Sequence, residues 1–339
     1  VVKPDVRMWW KAVTVIPRLQ DEEWRLLDPV ARWLISVRFA AIILTLISVA
    51  VAGILSFRVT DMNWGTWFLL LFALVFAHAS NNLLNDLIDY EKGIDRDNYY
   101  RAQYGPQPLA RGFLTRRAMI LFTGINLLAA VAAGIGLIEV RGGLTLILML
   151  LGIFFLGFYT YPLKYLALGE LSVLIVWGPL MIGGGFYVLT GIWSWQIVLA
   201  GLPFALGATL VIFGKHIDKV EMDRERRVHT LPVVIGERAA RIAAVVMVGI
   251  QYGLVVWLVV EGFFTPVVLV ALIALPTFFR TMLPMFSRPK PTERPEDYPT
   301  DAWPLWFVGS AFVYTRRFGL FYIAGLIIDT ILRRTILNS

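Results

Sequence analysis

Residues 33–55 read WLISVRFAAIILTLISVAVAGIL, an unbroken apolar stretch whose one charge is Arg38. An α-helix needs about 20 consecutive apolar residues to cross the hydrocarbon core of a bilayer. Comparable stretches recur at 67–88, 118–140, 144–161, 171–190, 195–214, 239–260, 264–284 and 305–332. The sequence therefore predicts an all-α, polytopic membrane helix bundle of about nine transmembrane helices. The last contains Arg316 and Arg317, and its strongest apolar run is Phe318–Ile331. A transmembrane β-barrel is excluded, because its strands alternate apolar and polar over about ten residues, whereas these runs are continuous. Composition agrees: the 339 residues are 58% hydrophobic and 16% charged, against roughly 45–50% and roughly 25% in soluble domains. The absence of cysteine excludes a disulfide scaffold, thiolate catalysis and iron–sulfur or zinc–thiolate ligation.

Orientation follows from the basic residues. Of the 31 lysines and arginines, 26 fall in 1–32, 89–118, 162–170, 215–241 and 280–317. The alternate loops hold Arg58 and Arg141. By the positive-inside rule, the N-terminus and the loops after the second, fourth, sixth and eighth spans are expected in the cytoplasm. The net charge of +7 is then accounted for by orientation beside anionic membrane lipids, and calls for no nucleic-acid partner. Residues 1–32 read as a cytoplasmic N-terminal segment carrying Lys3, Arg7, Lys11, Arg18 and Arg25, without the pattern of a cleavable signal peptide. The first helix is accordingly expected to be a permanent anchor, and 33–339 a single membrane domain.

Two of the cytoplasmic loops, 91–117 and 215–241, have the same length and the same mixture of carboxylates, bases and glycine. Ahead of the first, Asn82, Asp86 and Asp89 fall at i, i+4 and i+7, so their oxygens share one helix face. Carboxylates at that depth are costly unless a cation or a metal in a wet cavity meets them. Oxygen ligands without cysteine select Mg²⁺ over softer ions. In the second segment Asp218 and Glu221 share a face at i, i+3, and Asp223 follows at i+5. Asn82, Asp86, Asp89, Asp218, Glu221 and Asp223 are thus the candidate metal ligands, with Asp86, Asp89, Asp218 and Asp223 the acids on which catalysis would depend. Around them Lys92, Arg96, Arg111, Lys215 and Arg224, with Arg38 inside the first span, are candidate clamps for a diphosphate held through Mg²⁺.

These motifs resemble the UbiA superfamily of intramembrane prenyltransferases. Asn82 and Asp86 match the family's NxxxD start, and the Asp86, Asp89, Gly93, Asp95 spacing is most like the branch that prenylates 1,4-dihydroxy-2-naphthoate. So are Tyr159-Thr160-Tyr161-Pro162-Leu163-Lys164, Leu168-Gly169-Glu170-Leu171, Trp177-Gly178-Pro179-Leu180-Met181 and Tyr187-Val188-Leu189-Thr190-Gly191. Departures are visible. Tyr90 stands where many quinone prenyltransferases carry aspartate, and Lys219 stands at the first aspartate of the second motif, with Asp218 displaced by one.

The resemblance implies helices around a central chamber, Mg²⁺ as cofactor, a polyprenyl diphosphate donor and an aromatic acceptor, with Lys164 added to the diphosphate clamp. It also implies ionisation of the allylic C–O bond and attack on the cation by an electron-rich acceptor carbon. Phe155, Phe158, Tyr159, Tyr161, Trp177, Phe186 and Tyr187 are available as shielding π faces, and as ordinary membrane packing. The expected location is the plasma membrane of a prokaryote, with the site facing the cytoplasm. A membrane transporter is the competing class, although alternating access would put binding groups near the bilayer midplane, not at span ends.

Overall fold

The computed structural model describes residues 3–95, 100–300 and 302–337, and among them helices are the regular structure. Three short helices open the chain: α1 (Val6–Thr14), α2 (Asp21–Leu26) and α3 (Pro29–Ser36). There follow α4 (Phe39–Phe57), α5 (Trp64–Glu91), the short α6 (Tyr100–Tyr104), α7 (Arg116–Arg141) and α8 (Gly143–Phe158). The second half holds α9 (Gly169–Thr190), α10 (Trp195–Asp218), the short α11 (Val220–Glu225) and α12 (Leu231–Ile235), α13 (Glu237–Val260), α14 (Pro266–Phe286) and α15 (Phe307–Leu332).

Eight of these helices are long and apolar enough to cross a membrane. The ninth expected span is α8, with 16 residues, about 24 Å at 1.5 Å per residue and so shorter than the roughly 30 Å core. The expected first span is interrupted. Arg38 takes a left-handed conformation, φ 53° and ψ 54°, which separates α3 from α4. The arginine pair in the last span does not break it: α15 is continuous, and Arg317 donates to Thr277 Oγ1 at 2.9 Å.

The helices form two groups around α9. In one, α4, α5, α7 and α8 pack together; in the other, α10 packs against α13, α15 and α9, and α15 against α14. The large core runs through the second group, where Phe204, Phe264, Tyr314, Phe318 and Tyr322 are buried. The outward faces are apolar as well: Leu121, Ile125 and Leu128 on α7 and Ile242, Val246 and Ile250 on α13 are exposed. A soluble protein rarely leaves that much contiguous apolar surface bare; in lipid it is the solvated face.

Candidate active site

On α5, the sequence periodicity carries into the structure. Asn82, Asn85, Asp86 and Asp89 are all buried on the inner face. The left-handed turn at Arg38 aims its side chain at them. Arg38 Nη2 donates to the Asn82 carbonyl at 3.0 Å and lies 3.4 Å from Asp86 Oδ1, while Asn82 Nδ2 donates back to the Val37 carbonyl at 2.8 Å. An arginine in αL costs about 1–3 kcal/mol and persists where the surroundings over-determine it. Here the gain is a guanidinium against a buried carboxylate.

Asp86 has a second guanidinium. Arg101, on α6, donates from Nε to Oδ1 at 3.3 Å and from Nη2 to Oδ2 at 3.0 Å. Arg101 also donates to the carbonyls of Gly105 and Pro106, and Gln107 donates to the Asp86 carbonyl at 3.0 Å and to Asp95 Oδ2 at 2.8 Å. The segment after α5 therefore folds back over the acidic face. Asp95 Oδ1 is buried without a hydrogen-bond partner among the described residues. Burial, with the charges of Asp89 and Asp86, pushes the Asp95 carboxyl up to about 6. Asp89 is held by Lys164, whose Nζ donates to both carboxylate oxygens at 2.6 and 2.8 Å, and Asn85 donates to Thr160 Oγ1 at 3.1 Å.

The second acidic segment divides. Asp223 is fully buried and pairs with Lys219 at 2.8 Å. Its segment reaches the first cluster: Arg226 Nη1 donates to the Gly93 carbonyl at 2.7 Å, and Val228 packs with Ile94, Tyr100 and Tyr104. The two segments thus meet at one end of the bundle.

Asp218 points elsewhere. Its oxygens accept from the Phe307 and Val308 amides at 3.1 and 2.9 Å and from the Tyr100 hydroxyl at 3.0 Å, with Lys290 at 3.3 Å. That is an N-terminal anchor for α15, where an anion suits unpaired amides and the helix dipole. Glu221 and Arg224 pair with each other on the exposed face of α11. Lys92 is exposed and stacks over Tyr161 at 3.6 Å. Arg111 is bound to Asp21 at 3.1 Å, away from the acids. Arg96 lies outside the described residues. Among the expected residues, the structure therefore brings together Asn82, Asp86, Asp89, Asp223, Arg38, Lys164 and Lys215. It adds Asn85, Arg101 and Gln107, and it includes Asp95 and Lys219, both already marked by the motifs. Asn85 carried a signal, being one turn from Asn82 and Asp89; Arg101, on the short α6, and Gln107 fall in an aperiodic stretch of sequence that gave none.

Below this polar end lies a cavity of about 710 Å³. Arg38, His78, Asn82, Asn85 and Lys215 line its polar part, and Leu70, Leu148, Trp177, Leu180 and Val211 are among its apolar walls. Gly185 lets α9 approach closely, since a Cβ there would sit 3.0 Å from that of Ala52 and 3.3 Å from Leu70. His78 Nδ1 is 2.7 Å from Thr45 Oγ1, and its ring meets Trp177 edge-on at 5.5 Å. His216 is buried, with its Nδ1 2.6 Å from Glu170 Oε1. Among the described residues no three acidic or histidine side chains form a ready-made metal cage. Magnesium ordinarily uses one or two carboxylates and completes its shell with water and substrate phosphates, so the oxygen donors here, with a partnerless Asp95 oxygen, fit it.

Comparison with known proteins places this arrangement. The chain is 25% identical over 233 residues to the UbiA prenyltransferase domain-containing protein 1 homolog of Drosophila melanogaster, covering 66% of this chain and 63% of that protein. It is 28% identical over 198 residues to the 2-carboxy-1,4-naphthoquinone phytyltransferase of Synechocystis sp., covering 56% and 62%. The chain thus spans less than two thirds of the length of these curated relatives. A solved structure of a UbiA homolog from Archaeoglobus fulgidus bound to GPP and Mg²⁺ superposes with a TM-score of 0.57 over 88% of this chain and 99% of that one, at 15% identity, a likeness of fold. The sequence profile of the UbiA prenyltransferase family matches residues 41–298, from α4 through both acidic segments, and by that match the chain belongs to the UbiA prenyltransferase family.

Proposed function

We propose that this protein transfers a prenyl group from an allylic polyprenyl diphosphate to an aromatic acceptor, within the membrane and with Mg²⁺. The observation that carries the reading is the cavity: Arg38, Asn82, Asn85 and Lys215 line its polar part, Arg38 ties that part to the buried Asp86, and the apolar remainder suits an isoprenoid tail. Asn82, Asp86, Asp89 and Asp223 are the residues to hold the metal. Asp95 joins them through its Oδ1, partnerless among the described residues, and Asp218, Glu221 and Arg224 are left out of the site. Magnesium, when bound, supplies positive charge that binds the diphosphate and favours its departure.

Arg38, Arg101, Lys164, Lys215 and Lys219 are the cations to grip the diphosphate. Four of them are buried and Lys215 is half-buried on the cavity wall, which makes them effective against charge that develops as the C–O bond breaks. The diphosphate leaves with the bonding electron pair, and the allylic carbon becomes cationic. Trp177, Phe155 and Tyr159 line the cavity and offer π faces to that cation while the apolar walls exclude water. An acceptor carbon supplies the electron pair for the new C–C bond, and loss of a proton from that carbon to the departed diphosphate, or of carbon dioxide from a carboxylate on it, restores aromaticity.

The acceptor we favour is a naphthoate, on the motif likeness and the naphthoquinone named for the Synechocystis relative. The site is proposed to face the cytoplasm, because the basic loops lie at its end of the bundle. The test is incubation of the purified protein in bilayers with radiolabelled polyprenyl diphosphates and a panel of aromatic acceptors, with and without Mg²⁺. A prenylated aromatic product that requires the metal supports the proposal. Turnover without Mg²⁺, or no product from any pairing, contradicts it.

A further inference from the structure

Arg111 belongs to a second hollow of about 300 Å³, formed with Asp21, Trp24, Arg25, Arg32 and Phe113. Trp24 and Phe113 stack at 4.7 Å and 7° to make its wall. Each ring carries a guanidinium on its face: Arg32 lies 5.9 Å from the Trp24 centroid and Arg111 5.6 Å from that of Phe113. Hydrogen bonds steady both, from Arg32 Nη2 to the Arg25 carbonyl at 3.0 Å and from Arg111 Nη2 to the Leu19 carbonyl at 3.4 Å. Arg32 Nε is buried with no hydrogen-bond partner among the described residues. Three arginines face one aspartate, so the hollow keeps a net positive charge.

The depth of this hollow identifies its ligand. Arg32 lies on α3, which leads directly into the membrane helix α4. On the same short helices Trp10, Leu26 and Val30 are exposed, an apolar surface that belongs at the boundary of headgroups and acyl chains. A phosphate at that depth sits on a lipid. We propose that the hollow binds the phosphate headgroup of an anionic phospholipid, with Arg25, Arg32 and Arg111 as its ligands. The Arg111 amide donates to the Gln107 carbonyl, and Gln107 reaches the Asp86 carbonyl. A lipid held there braces the segment that covers Asp86 against the N-terminal helices.

The test is native mass spectrometry of the full chain in detergent, titrated with phosphatidylglycerol, phosphatidylcholine or inorganic phosphate. Wild type is expected to retain phosphatidylglycerol, with affinity falling about fivefold for each arginine removed in R25Q/R111Q and in R32Q. Phosphatidylcholine is expected not to compete, and inorganic phosphate at the lipid's concentration not to displace it. Unchanged lipid binding in the variants overturns the proposal, as does equal binding of phosphatidylcholine. Displacement by inorganic phosphate would make this a site for soluble anions and overturns it too. Should R32Q fail to fold, R25Q/R111Q decides alone, since both of those side chains are exposed.

Discussion

Asp86 is 1% exposed and holds two guanidinium groups, so its removal acts on stability and chemistry at once. Asp86→Ala strands Arg38 and Arg101 in the interior and is expected to cost about 3–5 kcal/mol, read as a lowered unfolding midpoint. Asp86→Asn keeps the shape and is the better probe of function; prenyl transfer is expected to fall about 100-fold or more. Asp218→Ala should behave differently. It removes the anchor of α15 and lowers thermal stability, while Mg²⁺-dependent donor binding stays close to wild type. Loss of that binding in a folded Asp218→Ala protein would return the residue to the metal site. The contrast explains what the sequence could convey. Asn82, Asp86 and Asp89 lie on one regular helix, where spacing determines facing. The donors to Asp218 are amides 89 and 90 residues away, beyond any local pattern, so its face on α10 gave no hint of its partner.

Close approach between elements rests on small residues and caps. Gly214 lets α10 touch the start of α15: a Cβ there would lie 3.0 Å from Phe307 C and O and Val308 N. Backbone cannot swing aside as a side chain can, so Gly214→Ala is expected to cost about 1–3 kcal/mol in a denaturation experiment. Asp28 caps α3, accepting from Val30 and Ala31, and also binds Trp9 and the Asp5 amide. Burial opposes its ionisation, but those hydrogen bonds prevail and hold the carboxyl below its usual value. Its contribution is therefore complete above the ordinary carboxylate pKa and is lost as pH falls through the lowered one. Asp28→Ala should cost about 0.5–2 kcal/mol, and the advantage of wild type over Asp28→Asn should vanish on acidification, measured by melting at stepped pH. Long apolar runs made the spans legible, because lipid demands continuous hydrophobicity. The break at Arg38 was not legible: neither glycine nor proline marks it, and the cause is a tertiary contact to Asn82 and Asp86.

At the scale of the molecule, α10 forms the centre, with α9 joining the two helix groups over a shared cavity. Orientation is testable because the chain has no cysteine, so a single introduced thiol is a unique reporter. Arg224→Cys and Asp61→Cys replace side chains 52% and 90% exposed, in a basic loop and in an alternate loop respectively. A membrane-impermeant maleimide is expected to label Asp61→Cys in intact cells and Arg224→Cys only after permeabilisation; the reverse would invert the assigned topology. The overall bundle was readable from hydropathy alone, whereas the meeting of the two acidic segments depends on tertiary contacts such as that of Arg226 with the Gly93 carbonyl. That meeting is the central claim. The measurement that addresses it most directly is equilibrium binding of a radiolabelled allylic polyprenyl diphosphate to folded wild type, Asp89→Asn and Asp223→Asn across a Mg²⁺ titration. The account predicts that wild-type binding requires the metal and that each substitution, one on either segment, raises the Mg²⁺ needed. Binding that persists in chelator, or that ignores one of the two substitutions, would contradict it.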